Sequence, residues 1–143
     1  MDDIDRRIIA ALSEDARQSY AEIGVFISMS APAVKRRVDR LLDTGVIKGF
    51  TAVVDHAALG WTTEAFVELF CTGKTTPTQL SLMVRQFPEV VGAYTVSGEA
   101  DALVHIRSSD IGHLEQTLER LRGEPFVTRT RSMIVLTRLI DSL

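Results

Sequence analysis

The stretch from Tyr20 to Leu42, YAEIGVFISMSAPAVKRRVDRLL, constrains this chain more than any other part of it. Its apolar start predicts a short helix over Tyr20–Ile27, broken by Ser28, Met29 and Ser30. A second helix follows and carries Lys35, Arg36, Arg37 and Arg40. Ser30 is a natural N-cap, and Pro32 is tolerated in a first helical turn. Gly45 stands where a helix commonly ends. Two short helices at a sharp angle, the second basic and capped by serine, follow the plan of a helix-turn-helix. Ile4, Ile8, Ile9 and Leu12 recur at helical spacing and predict a preceding helix from Asp2 to Glu14 whose apolar stripe covers both. Ile23, Ile27, Val34, Val38, Leu41 and Leu42 point inward in this reading. Ala31, Ala33, Lys35, Arg36, Asp39 and Arg40 are left to face outward.

Charge sharpens that reading. The 143-residue chain has a formal net charge of −3, so the whole molecule is not a generic polyanion binder. Residues 28–50, however, hold the bases Lys35, Arg36, Arg37, Arg40 and Lys48 against only Asp39 and Asp43. A focused basic patch on a mildly acidic body suits selective DNA binding, because the acidic remainder limits loose adhesion; the plainer reading is a solvated helix face. The single cysteine, Cys71, falls in an expected strand and reads as a small buried hydrophobe. It excludes an internal disulfide framework and fits a reducing compartment. Asp2, Asp3 and Asp5 open the chain with acids where a secretion signal needs bases, and no apolar run approaches the roughly 20 residues of a membrane span. A cytoplasmic protein is expected. His56, His105 and His113 lie in separate expected elements without metal-ligand spacing. No Ser-His-Asp or Cys-His arrangement is apparent, so neither a catalytic site, a metal nor a cofactor is expected.

Beyond Gly45 the expected order changes. Val46–Val54 reads as a strand and His56–Trp61 as a linker. The expected partition is a DNA-binding domain over residues 1–50, a connecting strand and linker over 51–62, and a second domain over 63–143. In that second domain Ala65, Val67, Leu69 and Cys71 alternate with Phe66, Glu68 and Phe70, which predicts a strand. Leu80, Met83, Val84 and Phe87 predict a helix ended by Pro88. Val90–Ser97 and Ala102–Arg107 predict two strands joined by Gly98-Glu99-Ala100-Asp101. Ile111, Leu114, Leu118 and Leu121 mark a second helix, and Val127–Leu139 a last strand. The order βαββαβ is the ferredoxin-like split unit, giving an α+β fold overall. Such a sheet carries both helices on one face and needs a cover on the other. Because its first strand is apolar on both sides, the bare face is expected to pack on a second copy. The resulting homodimer would set two recognition helices on pseudo-palindromic half-sites of double-stranded DNA.

The whole pattern resembles the Lrp/AsnC (leucine-responsive, feast/famine) family of transcription regulators. The opening DDIDRRIIAAL, Arg17, the helix-turn-helix and RRVDRLLDTGVIKGF are similar to the family's N-terminal half. VSGEADALVHI resembles its glycine-x-x-aspartate loop, and VTRTRSMIVL its last strand, within the family's RAM-type regulatory domain. The resemblance implies DNA-binding dimers that assemble further into tetramers or octamers, with a small-molecule effector, commonly an amino acid, held between dimers. It assigns Val96, Gly98, Glu99, Ala100, Asp101, Thr130 and Ser132 to the effector site. Gly98 would let the backbone approach a ligand. Loop amides would hold an α-carboxylate, and Asp101 would meet an ammonium group or loop amides. Thr130 and Ser132 would offer hydroxyls from one face of the last strand. The plainer alternative is a simple hairpin in which the Asp bonds backbone.

The chain departs from the family pattern in places. Ser28 stands where Gly is usual in the turn, Gly24 where Ala is common, and Val25 and Phe26 where polar residues are common. Ser132 replaces the more usual Thr. The chain closes at Leu143 without a long tail, which argues against the octamer.

Within this reading Ser30, Ala31, Ala33 and Lys35 reach base edges, Arg36, Arg40 and Lys48 reach phosphates, and Arg37 packs its stem on the first helix with its tip toward phosphate. Few long donors stand at the helix start, so modest specificity aided by DNA bending is expected. Two other readings share the sequence: an architectural DNA-binding protein without effector, and an enzyme like the sirohaem decarboxylases, which resemble this architecture.

Overall fold

A computed structural model describes residues 1–140. The end of the expected 63–143 domain, with Leu143, lies outside the described residues. The chain forms two compact units, Met1–Val53 and a second beginning at Val54.

The first unit holds helices α1 (Asp3–Glu14), α2 (Tyr20–Ile27) and α3 (Ala31–Asp43). Each start is fixed by a side chain that accepts from an otherwise orphaned backbone N–H. Asp2 caps α1 and Ser19 caps α2, each in a reciprocal box with Asp5 or Glu22, and Ser30 caps α3 with Pro32 in its first turn. Ile8, Leu12, Ile23, Ile27, Val34 and Val38 form the core, with Ile4 and Leu42 half-buried at its edge. Gly45, at φ 72°, turns the chain away after α3.

The second unit holds strands β1 (Thr63–Cys71), β2 (Val90–Thr95), β3 (Ala102–Ser108) and β4 (Val127–Ile134), with helices α4 (Pro77–Val84) and α5 (Ile111–Arg122). The sheet order β2-β3-β1-β4, antiparallel throughout, is the expected ferredoxin-like arrangement. One face carries Ala65, Val67, Leu69, Val104 and Ile106, fully buried under Leu80, Met83, Leu114 and Leu121 of the two helices. Glu89, between α4 and β2, is nearly fully buried. Burial pushes its carboxyl upward, but Arg120 at 2.9 Å and 3.2 Å, a backbone N–H and His113 at 3.0 Å outweigh burial and hold it at about 2.

Several boundaries differ from expectation. Val46–Val54 is not a strand; no segment of the described chain pairs with it, and a β-like pattern without a ladder partner stays extended loop. The last strand stops at Ile134, not Leu139, where Val135 makes a final bond to Glu64 and pairing with β1 ends. Helix α4 stops at Val84; Phe87 is buried in the following turn rather than on the helix, as the restriction ahead of Pro88 favours. Ile111 caps no core: it is 56% exposed in the first turn of α5.

The other face of the sheet is more polar than its β1 sequence implies. Phe66 stacks on His105 with ring centroids 4.5 Å apart, and Arg129 lies 4.0 Å over Phe70. Glu64 is bonded by His105 and Arg138, and Glu68 by Arg131. Tyr94 and Met133 stand exposed beside them. Among the described residues no helix is long and apolar enough to cross a membrane.

Candidate nucleic-acid interface and effector loop

The turn between α2 and α3 sets the position of the recognition helix. Ser28 closes α2 in a left-handed conformation (φ 58°, ψ 48°), the single non-glycine residue among those described with positive φ. Met29 N–H donates to the Gly24 carbonyl at 2.8 Å, bringing the chain back over the helix. A Cβ at Gly24 would lie 2.4 Å from the Met29 oxygen, so this close turn depends on glycine.

On α3 the exposed residues include Lys35, Arg36 and Arg40, while Ala31, Ala33, Arg37 and Asp39 are half-buried. The Ser30 hydroxyl is occupied by its cap, accepting from Ala33 N–H at 3.4 Å. Lys35 Nζ pairs with Asp39 at 2.6 Å, an exposed i,i+4 pair of small energetic worth. Arg37 Nη1 reaches Asp2 at 2.7 Å and Asp5 at 2.8 Å, and Arg40 Nη2 reaches both Asp5 oxygens at 2.9 Å. The tip of Arg37, expected toward phosphate, therefore sits between two carboxylates of α1. Arg36 and Lys48 are exposed and have no ion pair among the described residues. The local excess of base is thus smaller than the sequence count, since two of its five cations are tied to acids from outside the stretch.

Asp5 and Asp2 are what the sequence reading missed. Asp5 is 1% exposed, yet its carboxyl is held at about 2. The N–H of Asp2 is the largest cause, and with Arg37 and Arg40 it overrides burial. Their spacing at N-cap and third helical position was a legible signal of reciprocal capping; their bonds to residues more than 30 positions away were not.

Five of the effector candidates lie in or beside the β2–β3 turn and the other two, Thr130 and Ser132, on β4. Gly98, at φ 115°, has open space where a Cβ would be. Asp101 is fastened to β1: its Oδ2 accepts from Cys71 N–H at 2.7 Å and its N–H donates to Leu69 at 2.9 Å. This is the plainer, backbone-bonding role, made to a neighbouring strand rather than within the loop. Burial, then the charge of Asp101, pushes the Cys71 thiol upward. Ala100 is buried, while Val96 and Glu99 are exposed. Thr130 and Ser132 lie opposite Leu69 and Val67, hence on one face as expected, and the Thr130 hydroxyl accepts from Arg122 Nε at 3.0 Å. Ala102 and Thr130 both register with Leu69, so the loop and the hydroxyl strand flank β1 at one level, about 10 Å apart. Among the described residues no group of three or more His, Cys, Asp and Glu side chains is placed to hold a metal ion.

Comparison with known proteins agrees with this division. Residues 1–42 match the AsnC-type helix-turn-helix domain and residues 64–143 the Lrp/AsnC ligand binding domain. An HTH-type transcriptional regulator of Mycobacterium tuberculosis is 54% identical over 100% of this chain and 97% of its own. The solved feast or famine regulatory protein of M. tuberculosis complexed with L-methionine is 32% identical, with a TM-score of 0.90 over 98% of this chain and 95% of that one. The structure of E. coli AsnC, 24% identical, shares the fold at a TM-score of 0.94, covering 100% of this chain and 97% of that one. With both of its domains matched and relatives aligned along its whole length, the chain belongs to the Lrp/AsnC family of transcriptional regulators.

Proposed function

We propose that this regulator binds DNA sequence-specifically as a homodimer, and that an amino acid alters its DNA binding or its further assembly. One observation carries the reading. A helix-turn-helix exposing Lys35 and Arg36, followed by exposed Lys48, shares the chain with a match to the Lrp/AsnC ligand binding domain, and a relative 32% identical over nearly the whole chain is complexed with L-methionine. Lys35 stands near enough to the start of α3 to reach a base edge, and Arg36 and Lys48 are among the phosphate contacts. Direct readout is thin, so DNA deformation supplies much of the specificity.

For the effector, the free space at Gly98 admits a carboxylate to the backbone amides of its turn. Asp101 serves by anchoring that turn to β1, with its second oxygen open to an ammonium group. Thr130 and Ser132 complete the polar lining. The sheet face with Phe66, Tyr94 and Met133 is the dimer surface, its ion pairs forming a polar component around the aromatic anchors. The effector acts by binding one arrangement of dimers better than another, a coupling of about 1–3 kcal/mol.

The test is fluorescence anisotropy of labelled DNA flanking the protein's own gene, at about 150 mM salt with excess competitor DNA. It is run with and without a mixture of the twenty amino acids. Competitor-resistant binding that shifts with the mixture is expected, and dividing the mixture names the ligand. Resistant binding without a shift would refute the amino-acid effector, and weak binding without sequence preference would favour an architectural protein.

A further inference from the structure

The geometry points to Asp5 as a positioning residue for DNA binding: its buried carboxylate holds one nitrogen of Arg40 so that the rest of that guanidinium is offered, already ordered, to a phosphate, while Arg37 is kept as a brace. This inference rests on the DNA-binding reading above. Asp5 has about four lone-pair sites, and the structure fills them with four donor contacts: Asp2 N–H at 3.0 Å, Arg37 Nη1 at 2.8 Å, and Arg40 Nη2 at 2.9 Å to each oxygen. Stability alone is a poor reason for such an arrangement, since well-packed apolar side chains in place of a buried ion network are often as stable or more so. What the network supplies that apolar packing cannot is a fixed guanidinium.

The two arginines differ in what they have left. Arg37 is 21% exposed and lies between two carboxylates, so a phosphate there would meet like charge. Arg40 is 56% exposed and spends a single Nη on Asp5; its Nη1 and Nε have no partner among the described residues. Arg36, one helical turn earlier, stands on the same exposed side of α3. A long side chain normally loses much freedom when it grips a ligand, and Asp5 removes that freedom before DNA arrives. Asp2, Asp5, Arg37 and Arg40 together carry no net charge. Arg40 therefore acts at close range, as an ionic hydrogen-bonding contact to one phosphate, and the long-range attraction of this surface falls mainly to Arg36 and Lys48.

The experiment measures binding of the intact protein to a random-sequence duplex over a range of low salt, where phosphate contacts dominate and no operator is needed. Wild type, Asp5→Asn, Arg40→Ala and the double variant are compared, each verified as folded by circular dichroism at the assay temperature. Arg40→Ala should lower the slope of log K against log salt by about 0.9 per engaged helix. Asp5→Asn, which leaves the Arg40 charge in place, should weaken binding about five- to tenfold without lowering the slope, and by less than about twofold in the Arg40→Ala background. Arg40→Lys, which keeps charge but cannot hold Asp5 and a phosphate through one planar fork, should behave like Asp5→Asn and supplies the comparison if Asp5→Asn does not fold. Equal loss from Asp5→Asn in both backgrounds, wild-type affinity in Arg40→Lys, or an unchanged slope in Arg40→Ala would overturn the assignment. Those results leave DNA binding itself standing, whereas a wild-type protein that binds no duplex at low salt would remove both readings.

Discussion

Replacing Ser28 by glycine should stabilise the helix-turn-helix. Ser28 sits at φ 58° and ψ 48°, where an L-residue brings its Cβ against the following carbonyl at a cost of about 1–2 kcal/mol. Glycine avoids that cost but returns about 0.4–1 kcal/mol through its greater freedom in the unfolded chain. The Ser28 side chain is exposed, and no hydrogen bond of its hydroxyl exists among the described residues, so nothing else is lost. The net gain is about 0.5–1 kcal/mol. For a unit the size of Met1–Val53 this raises the midpoint by roughly 2–8 °C. Thermal unfolding of the intact chain can separate the two units. Helix ellipticity follows both, and the lone tryptophan, Trp61, reports the second. Ser28→Ala is the control, because it keeps the backbone strain and removes only the hydroxyl; it should stay within about 0.5 kcal/mol of wild type. If glycine leaves the midpoint unchanged or lowers it, or alanine raises it equally, the strain argument fails.

Four further outcomes follow from the same geometry. Gly24→Ala should destabilise the first unit by about 1–2 kcal/mol in urea unfolding, because the displaced Met29 carbonyl outweighs the roughly 1 kcal/mol gained in helix propensity; a net gain would mean the turn yields freely. Asp5 and Glu89 both have folded pKa values of about 2, against usual values of 3.8 and 4.5, so their contributions are complete above about pH 5 and are lost as pH falls toward 2. These amount to about 2 and roughly 3 kcal/mol, and urea midpoints measured down the pH scale should show that fall reduced in Asp5→Asn and Glu89→Gln, while equal falls in all three proteins would count against it. Asp101→Ala should keep DNA affinity but lose most of the response to the effector in the anisotropy assay, and an intact response removes Asp101 from the loop's function. Arg36→Ala should weaken binding to all sequences about equally and flatten the salt slope by about 0.9 per helix; altered base preference at unchanged affinity would make it a base contact instead.

Much of this architecture was legible from short-range pattern. The cap at Ser30, the inward stripe of Val34, Val38 and Leu41, and the alternation of Ala65, Val67 and Leu69 are local signals that a sequence carries openly. Val46–Val54 shows the limit of that pattern. Its residues have strand character, but a strand is defined by a partner, and no alternation states whether one exists. The candidate interface was less legible for a related reason. Arg37 and Arg40 read as free cations because their partners, Asp2 and Asp5, lie more than 30 residues away on another helix. Asp101 was narrowed from ligand contact or turn bond to an anchor on Cys71, a distinction set by the packing of β1 beside its loop. Ser28 was readable as a departure from the family's glycine, and the left-handed backbone makes that departure a cost.

The sheet order leaves β2 and β4 as open edges, and the two are protected unequally against aggregation. Strand β4 carries Arg129 and Arg131, whose charges oppose edge-to-edge growth. Strand β2 reads VVGAYT, without a charge or a proline, and Val91 and Tyr94 are exposed on it. The irregular register between Val90 and Gly92 interrupts what would otherwise be a flat template. Amyloid-like growth of this protein would therefore begin at the β2 edge, and the strand that leads into the proposed effector loop would also set the concentration at which the regulator remains in solution.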